Sequence, residues 1–190
     1  MNSERHASMT SYLARLFIVS MLALGGVVPQ AHAAYRGQID ADVNAALYRF
    51  DREIGGARDL VAQAAGVLVF PSVVKAGVGI GGEYGEGALL RGGRTAGYYN
   101  IVSASIGFQL GVQVRTVIIC FMTEEALWSF RHTHGWKIGV DGSVTLIAVG
   151  VGGSIDTNQI KSPVVGFILD QKGLMYNLTL EGSKISRINP

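Results

Sequence analysis

The chain has 190 residues, of which 16 are Lys or Arg and 14 are Asp or Glu, so its formal net charge at pH 7 is only +2. A balance so close to neutral gives no support to nucleic acid or another bulk polyanion as a partner. The single cysteine, Cys120, excludes an intrachain disulfide, and its apolar neighbours predict a buried, unreactive thiol.

The first 33 residues have the three parts of a secretory signal. Arginines precede an apolar run at residues 16–28, and Ala-His-Ala at 31–33 offers a small-x-small cleavage site. That apolar run is shorter than the roughly 20 residues that cross a bilayer as a helix. We therefore expect residues 1–33 to be removed on export to the periplasm, which leaves residues 34–190 as a single domain.

The first predicted helix of the mature domain covers residues 38–53, and a shorter one follows at 57–65. Apolar residues of the first helix are spaced by four, four and three, which places them on one face. The polar face is mixed and acidic, unlike the basic face of a helix that lies on a membrane. We expect the apolar face to pack against the domain, with membrane contact as the alternative. This face consists of Ile39, Val43, Leu47 and Phe50.

The middle of the chain alternates at strand period and is rich in glycine. Residues 76–91 and 95–112 predict two long strands, and Arg91-Gly92-Gly93-Arg94 between them predicts a hairpin turn. From residue 102 to 112 every second residue is apolar, so we expect one core face and one small or wet face. The expected core face consists of Val102, Ala104, Ile106, Phe108, Leu110 and Val112.

The remaining pattern adds one helix to further strands. Thr123 followed by two glutamates predicts a capped helix after a strand at 115–122. We expect an α+β domain: a curved antiparallel sheet or small barrel, bent at glycines, with the helices packed outside. The later predicted strands are 136–140, 143–151, 164–170 and 174–180.

Motifs that would carry catalysis or bind a cofactor are incomplete. The Gly-x-Gly-x-x-Gly run at 77–82 lacks the helix that would hold a dinucleotide phosphate. His132 and His134 supply too few ligands for zinc, and no Gly-x-Ser-x-Gly elbow is present. Glu83 and Glu86 are three residues apart and so lie on opposite faces of a strand. We expect a protein that is not an enzyme and has no metal, nucleotide or other cofactor.

Basic residues near turns and strand ends are the candidates for lipid phosphate. The two arginines of the hairpin turn flank glycine backbone that a phosphate can approach closely. A solubilising hairpin tip is the alternative for such a loop. The candidate lipid-binding residues are Lys75, Arg91, Arg94, Lys137, Lys161 and Lys172.

Five segments between residues 40 and 188 resemble the SYLF family of lipid-binding and actin-associated modules. They are VLVFPSVVKAGVGIGGEYGEGALL, GYYN, FMTEEAL, VDGSV and GLMYNLTLEGSKI. The resemblance implies binding to membrane lipids, with phosphoinositides and actin assembly involved in eukaryotic members and an export signal in bacterial relatives.

The resulting hypothesis is a non-enzymatic module of the bacterial cell envelope that binds anionic or phosphorylated lipid headgroups. The alternative is an envelope scaffold or protein-interaction domain, resembling an actin-binding module. A third possibility, an outer-membrane barrel, fits the alternation and the export signal but not the amphipathic helices.

Overall fold

The structure is a computed structural model that describes residues 28–147, 153–157, 160–173 and 180–190. Most of the predicted signal, at 1–27, and most of the predicted strand at 174–180 lie outside the described residues. The chain divides into two compact units, one ending at Gly37 and including Pro190, the other being Gln38–Asn189. Among the described residues, no helix combines the length and the apolar character needed to cross a membrane.

Three described helices take up the positions that the periodicity predicts. Helix α1 is Val28–Glu53, which begins ahead of the predicted start, and α2 is Ala57–Gln63. Helix α3 is Glu124–His132. The Thr123 hydroxyl accepts a hydrogen bond from the backbone N–H of Ala126 at 3.2 Å, so the predicted cap of α3 is confirmed.

Two very long strands form the frame of the fold. They pair as one antiparallel hairpin, joined by Gly92 and Gly93 with positive φ values of 56° and 74°, as the sequence predicts. Four shorter strands complete the described part of the sheet, and the last of these was not predicted. The strands are β1 Gly66–Arg91, β2 Arg94–Phe121, β3 Trp136–Lys137, β4 Thr145–Leu146, β5 Val164–Gly173 and β6 Lys184–Ile188.

Strand β2 organises the sheet, which has the order β3-β6-β2-β5-β4 with β1 paired along β2. Its first part contacts β6 and its last part contacts β5, both antiparallel. Strands β4 and β5 are parallel, so the sheet is mixed and not purely antiparallel as expected. The sheet curls into a half-barrel with helices, which confirms the α+β class.

The β1–β2 hairpin folds back on itself near its middle. Pairing advances two residues on β1, from Val78 to Ile80, while it moves four on β2, from Leu110 to Ile106. Beyond this irregularity the second part of β1 returns over the first. A Cβ atom on Gly87 would lie 1.9 Å from the carbonyl oxygen of Val69, so only glycine allows this approach.

Two apolar clusters lie on the two faces of the curled sheet. The inner cluster fills the curl and includes Phe121, whose ring is 4.7 Å from Phe130 between centroids. The outer cluster joins the sheet to α1 and α2, and the Phe50 and Phe167 rings are 4.9 Å apart there. Both clusters belong to one end of the hairpin, which we call the closed half: residues 66–73, 85–101 and 116–121.

Candidate functional site

The other end of the hairpin, residues 74–84 and 102–115, turns those apolar side chains outward that the structure describes. We call this end the bend. Ile80 is 73% exposed and Val112 is 58% exposed, although both are large aliphatic residues in regular strands. We call the exposed apolar surface the bend face; it consists of Val74, Ala76, Ile80, Tyr84, Val102, Ala104, Val112 and Val114.

The predicted core face of residues 102–112 is therefore wrong for Val102, Ala104 and Val112, which are exposed. The physical reason is the direction of the curl, which turns the alternate residues of the bend inward. The helices α1 and α2 pack against the closed half, where they cover residues such as Val69 and Ile118. The side chains of Ile106, Phe108 and Leu110 lie outside the described residues.

Polar and charged residues occupy the interior of the bend. Arg115, 1% exposed, donates to the Glu83 carboxylate at 2.5 Å, and this ion pair joins the two layers of the folded hairpin. Ser103 donates to the other Glu83 oxygen at 3.2 Å. Glu86 lies on the opposite face, where it accepts a hydrogen bond from Tyr84, as its spacing from Glu83 predicts.

Lys75 and Gln113 extend this polar interior. They are direct partners across β1 and β2 and are 5% and 1% exposed. The sequence prediction placed Lys75 near a strand end or loop. That placement is wrong, because Lys75 lies within β1 on the inner face of the curl. We call Lys75, Glu83, Ser103, Gln113 and Arg115 the bend interior.

A row of exposed residues starts in the bend face and crosses the sheet from there. Strand pairing sets Tyr84 beside Val102, Val102 beside Lys184, and Lys184 beside Lys137. Side chains of such partners share a face, with Cβ atoms about 4.5–5.5 Å apart. The row therefore runs from an aromatic ring through an aliphatic side chain to two ammonium groups. The backbone of Lys172 pairs with Val114, which places a further lysine at the bend.

The other predicted basic residues lie at the end of the hairpin opposite the bend. Arg91 donates to both carboxylate oxygens of Glu124 at 2.9 Å, with both side chains exposed. Arg94 is exposed at the same turn, and Lys161 is exposed in the segment before β5. The six predicted lipid-binding residues are thus split between two ends of the hairpin, with only Lys75, Lys137 and Lys172 at or beside the bend.

The predicted apolar face of the first helix is turned toward the sheet. Ile39, Val43 and Phe50 are buried in the outer cluster, and Leu47 packs against it partly buried. Membrane contact through these four side chains would require the helix to leave the sheet. Their placement is that of core residues.

The described residues place few groups where they could do covalent chemistry. Burial raises the pKa of Cys120 to about 12, so its thiol stays protonated at neutral pH, in line with the prediction of a buried cysteine. His132 is exposed at the end of α3, stacks on Trp128 and contacts the Trp128 carbonyl through Nδ1 at 2.8 Å. Within the described ranges no three potential metal ligands of the His, Cys, Asp or Glu type converge.

Outside the bend face, five residues of this site were not selected from the sequence: Glu83, Ser103, Gln113, Arg115 and Lys184. The available signal was the run Val-Gln-Val-Arg at 112–115, where an amide and a charged residue alternate with valines. Alternation alone states that two faces differ, but not which face is inside.

A comparison with known protein families finds a match to the part of the chain that begins within the bend. The family model Ysc84, described as Las17-binding protein actin regulator, matches residues 102–189. This range begins in the bend and extends through β6. No curated protein matches the chain.

Proposed function

Residues 102–189 carry a domain of the SYLF family, and we propose that the protein binds membranes through the bend face, with anionic phospholipid of the bacterial envelope as its ligand. The observation that carries this proposal is the inverted polarity of the bend, which exposes aliphatic side chains and encloses charged ones. The lipid-binding character implied by the SYLF resemblance supports the same ligand class.

The apolar side chains of the bend face supply the hydrophobic part of binding. Fully burying an aliphatic side chain is worth about 1.5–3 kcal/mol, and Ile80 and Val112 still expose more than half of theirs. Insertion of two or three such residues into the acyl boundary therefore contributes a few kcal/mol, roughly. This amount is suited to reversible adsorption.

The row from Tyr84 to Lys137 supplies the interfacial and electrostatic part. Aromatic rings with a polar tip favour the headgroup level of a bilayer. Each lysine near an anionic surface contributes about 1 kcal/mol, so Lys137 and Lys184 together strengthen binding by about 30-fold. We propose a periplasmic location at the membrane surface, which follows from the predicted export signal and this peripheral mode of binding.

The test is co-sedimentation with vesicles of phosphatidylglycerol and phosphatidylcholine at low and high salt. The wild type should be retained at low salt and released at high salt, because exposed charges are screened. The double variant Ile80→Asp/Val112→Asp should lose retention. Lys137→Ala/Lys184→Ala should weaken binding by about 30-fold.

A matched control removes two positive charges from the end of the hairpin opposite the bend. Arg94→Ala/Lys161→Ala should retain binding within about threefold, because those side chains lie away from the bend. If this control loses binding and the bend variants keep it, the hairpin-turn loops are the lipid site and the bend face is not.

The second candidate is a protein-interaction function, favoured by the description of the matching family as Las17-binding and actin-regulating. An exposed apolar sheet surface also suits a protein partner. Recovery of one stoichiometric envelope protein, lost in Ile80→Asp/Val112→Asp, together with no vesicle retention, would favour this candidate over lipid.

A further inference from the structure

We propose that the bend interior contains an oxyanion site, formed by Lys75 and Gln113, which takes a phosphate group. The phosphate is either that of a lipid headgroup or free in solution. The lipid source rests on the proposed membrane function, whereas the site itself does not.

The first observation is the Gln113 side chain, which is 1% exposed. Both amide atoms, Oε1 and Nε2, are buried and have no hydrogen-bond partner among the residues that the structure describes. A buried polar group left in this state costs about 1–3 kcal/mol, and native proteins hold few of them. A bound group that both donates to Oε1 and accepts from Nε2 removes that cost.

The second observation is the lysine that pairs with Gln113 across the strands. Lys75 is the direct cross-strand partner of Gln113 and is 5% exposed. No ion pair joins Lys75 to a carboxylate within the part of the chain that the structure describes. A lysine with so little of its side chain exposed is stabilised by a counter-charge or by several acceptors near its ammonium group. An anion placed between Lys75 and Gln113 supplies both.

The donor set selects the class of ligand. Lys75 donates only, so a metal cation is repelled. Gln113 both donates and accepts, which suits a group that has an anionic oxygen and a hydroxyl, such as a protonated phosphate or a phosphate next to a headgroup hydroxyl. The backbone partner of Gln113 on its other side is Gly173, which adds no side chain beyond its hydrogen.

The site and the bend face are carried by the same two strands. Lys75 lies between Val74 and Ala76, and Gln113 lies between Val112 and Val114, so every sequence neighbour of the pair is exposed on the bend face. Because successive side chains of a strand point to opposite faces, the pair lies on the inner side of these strands and the bend face on the outer side.

The direct test follows the side-chain amide of Gln113 in ¹H–¹⁵N spectra while inorganic phosphate is added to protein in phosphate-free buffer. The site predicts a saturable shift of that amide, weakened about tenfold or more in Lys75→Met. Ser103→Ala, which alters the bend interior outside the site, should keep the shift. Absence of a saturable shift in the wild type would overturn the site.

A second test uses a variant that should remain folded. Gln113→Met replaces an unpartnered amide with an apolar side chain of similar length, so without phosphate it should melt at or above the wild-type temperature. Phosphate should raise the wild-type melting temperature further than that of Gln113→Met, and general salt effects cancel in this difference. An equal rise in both proteins contradicts the site.

Vesicle retention then identifies the source of the phosphate. Reduced retention of Gln113→Met indicates a lipid headgroup, and unchanged retention indicates free phosphate; the site stands in both cases. The membrane function is tested separately, because Ile80→Asp/Val112→Asp should lose vesicles while it keeps the phosphate response. Loss of both responses in a folded Ile80→Asp/Val112→Asp would contradict a site enclosed inside the curl.

Discussion

The two halves of the β1–β2 hairpin use the same alternating pattern with opposite results. In the closed half, apolar residues are buried on both faces of the sheet. One face packs in the inner cluster, and the other packs against α1 and α2. In the bend, the described apolar residues are exposed and an ion pair is enclosed. The closed half holds the fold together. The bend leaves an apolar surface exposed that the domain itself does not bury.

The largest expected effect comes from one methyl group at the crossing of β1. Gly87→Ala puts a Cβ atom 1.9 Å from the Val69 carbonyl oxygen, so the backbone must separate and the free energy of unfolding should fall by about 5 kcal/mol or more. Gly82→Ala in the bend has its nearest contact at 3.9 Å and should change stability by less than about 1 kcal/mol. Urea denaturation measures both, and equal losses would refute the crossing.

A smaller loss is expected from the ion pair of the bend interior. Glu83→Ala leaves the Arg115 charge without its Glu83 carboxylate in a buried site, so the free energy of unfolding should fall by about 3–5 kcal/mol. The exposed pair at the closed end, Arg91 with Glu124, should be worth at most about 1 kcal/mol when Arg91→Ala removes it. Similar losses for the two variants would mean that the bend interior is open to solvent.

The same substitution on the same strand compares the two halves directly. Val117→Ala removes methyl groups from the inner cluster, where the side chain is fully buried, and should cost about 2 kcal/mol. Val112→Ala removes an exposed side chain and should cost less than about 0.5 kcal/mol. Thermal or urea unfolding resolves this difference, and a large loss for Val112→Ala would show that the bend face is covered within the domain.

The smallest effect concerns Cys120 in the closed half. Burial raises its pKa from an ordinary 9.0 to about 12, so above pH 9 the unfolded chain releases a proton that the folded chain keeps. Stability should therefore fall as the pH rises above 9, by at most about 1.4 kcal/mol per pH unit from this group. The difference in urea midpoint between wild type and Cys120→Ala isolates it, and a pH-independent difference would contradict the burial.

Much of the frame could be predicted from local signals. The Gly92-Gly93 turn, the Thr123 cap and the apolar stripe of the first helix depend on residues close in sequence, and the structure has them where expected. The direction of the curl could not be predicted, because it depends on the crossing at Gly87, which is a contact between residues far apart along β1.

The candidate site was predictable only in part for the same reason. Lys137 and Lys172 were selected as basic residues near turns, but Lys137 comes next to Lys184 through the pairing of β3 with β6, and Lys172 comes next to Val114 through the pairing of β5 with β2. Strand β6, which brings Lys184 next to Val102, is only five residues long and has no turn signature strong enough to predict it. An alternating strand has two faces, and only tertiary packing decides which is inside.

The most direct test of the central claim uses an environment-sensitive dye on an introduced cysteine. Because Cys120 is buried, Val112→Cys can be labelled selectively, and Arg94→Cys provides the matched control at the opposite end. With phosphatidylglycerol vesicles, the dye at position 112 should shift to shorter wavelength and the dye at position 94 should remain as in water. A shift at position 94 without one at position 112 would contradict membrane binding through the bend face.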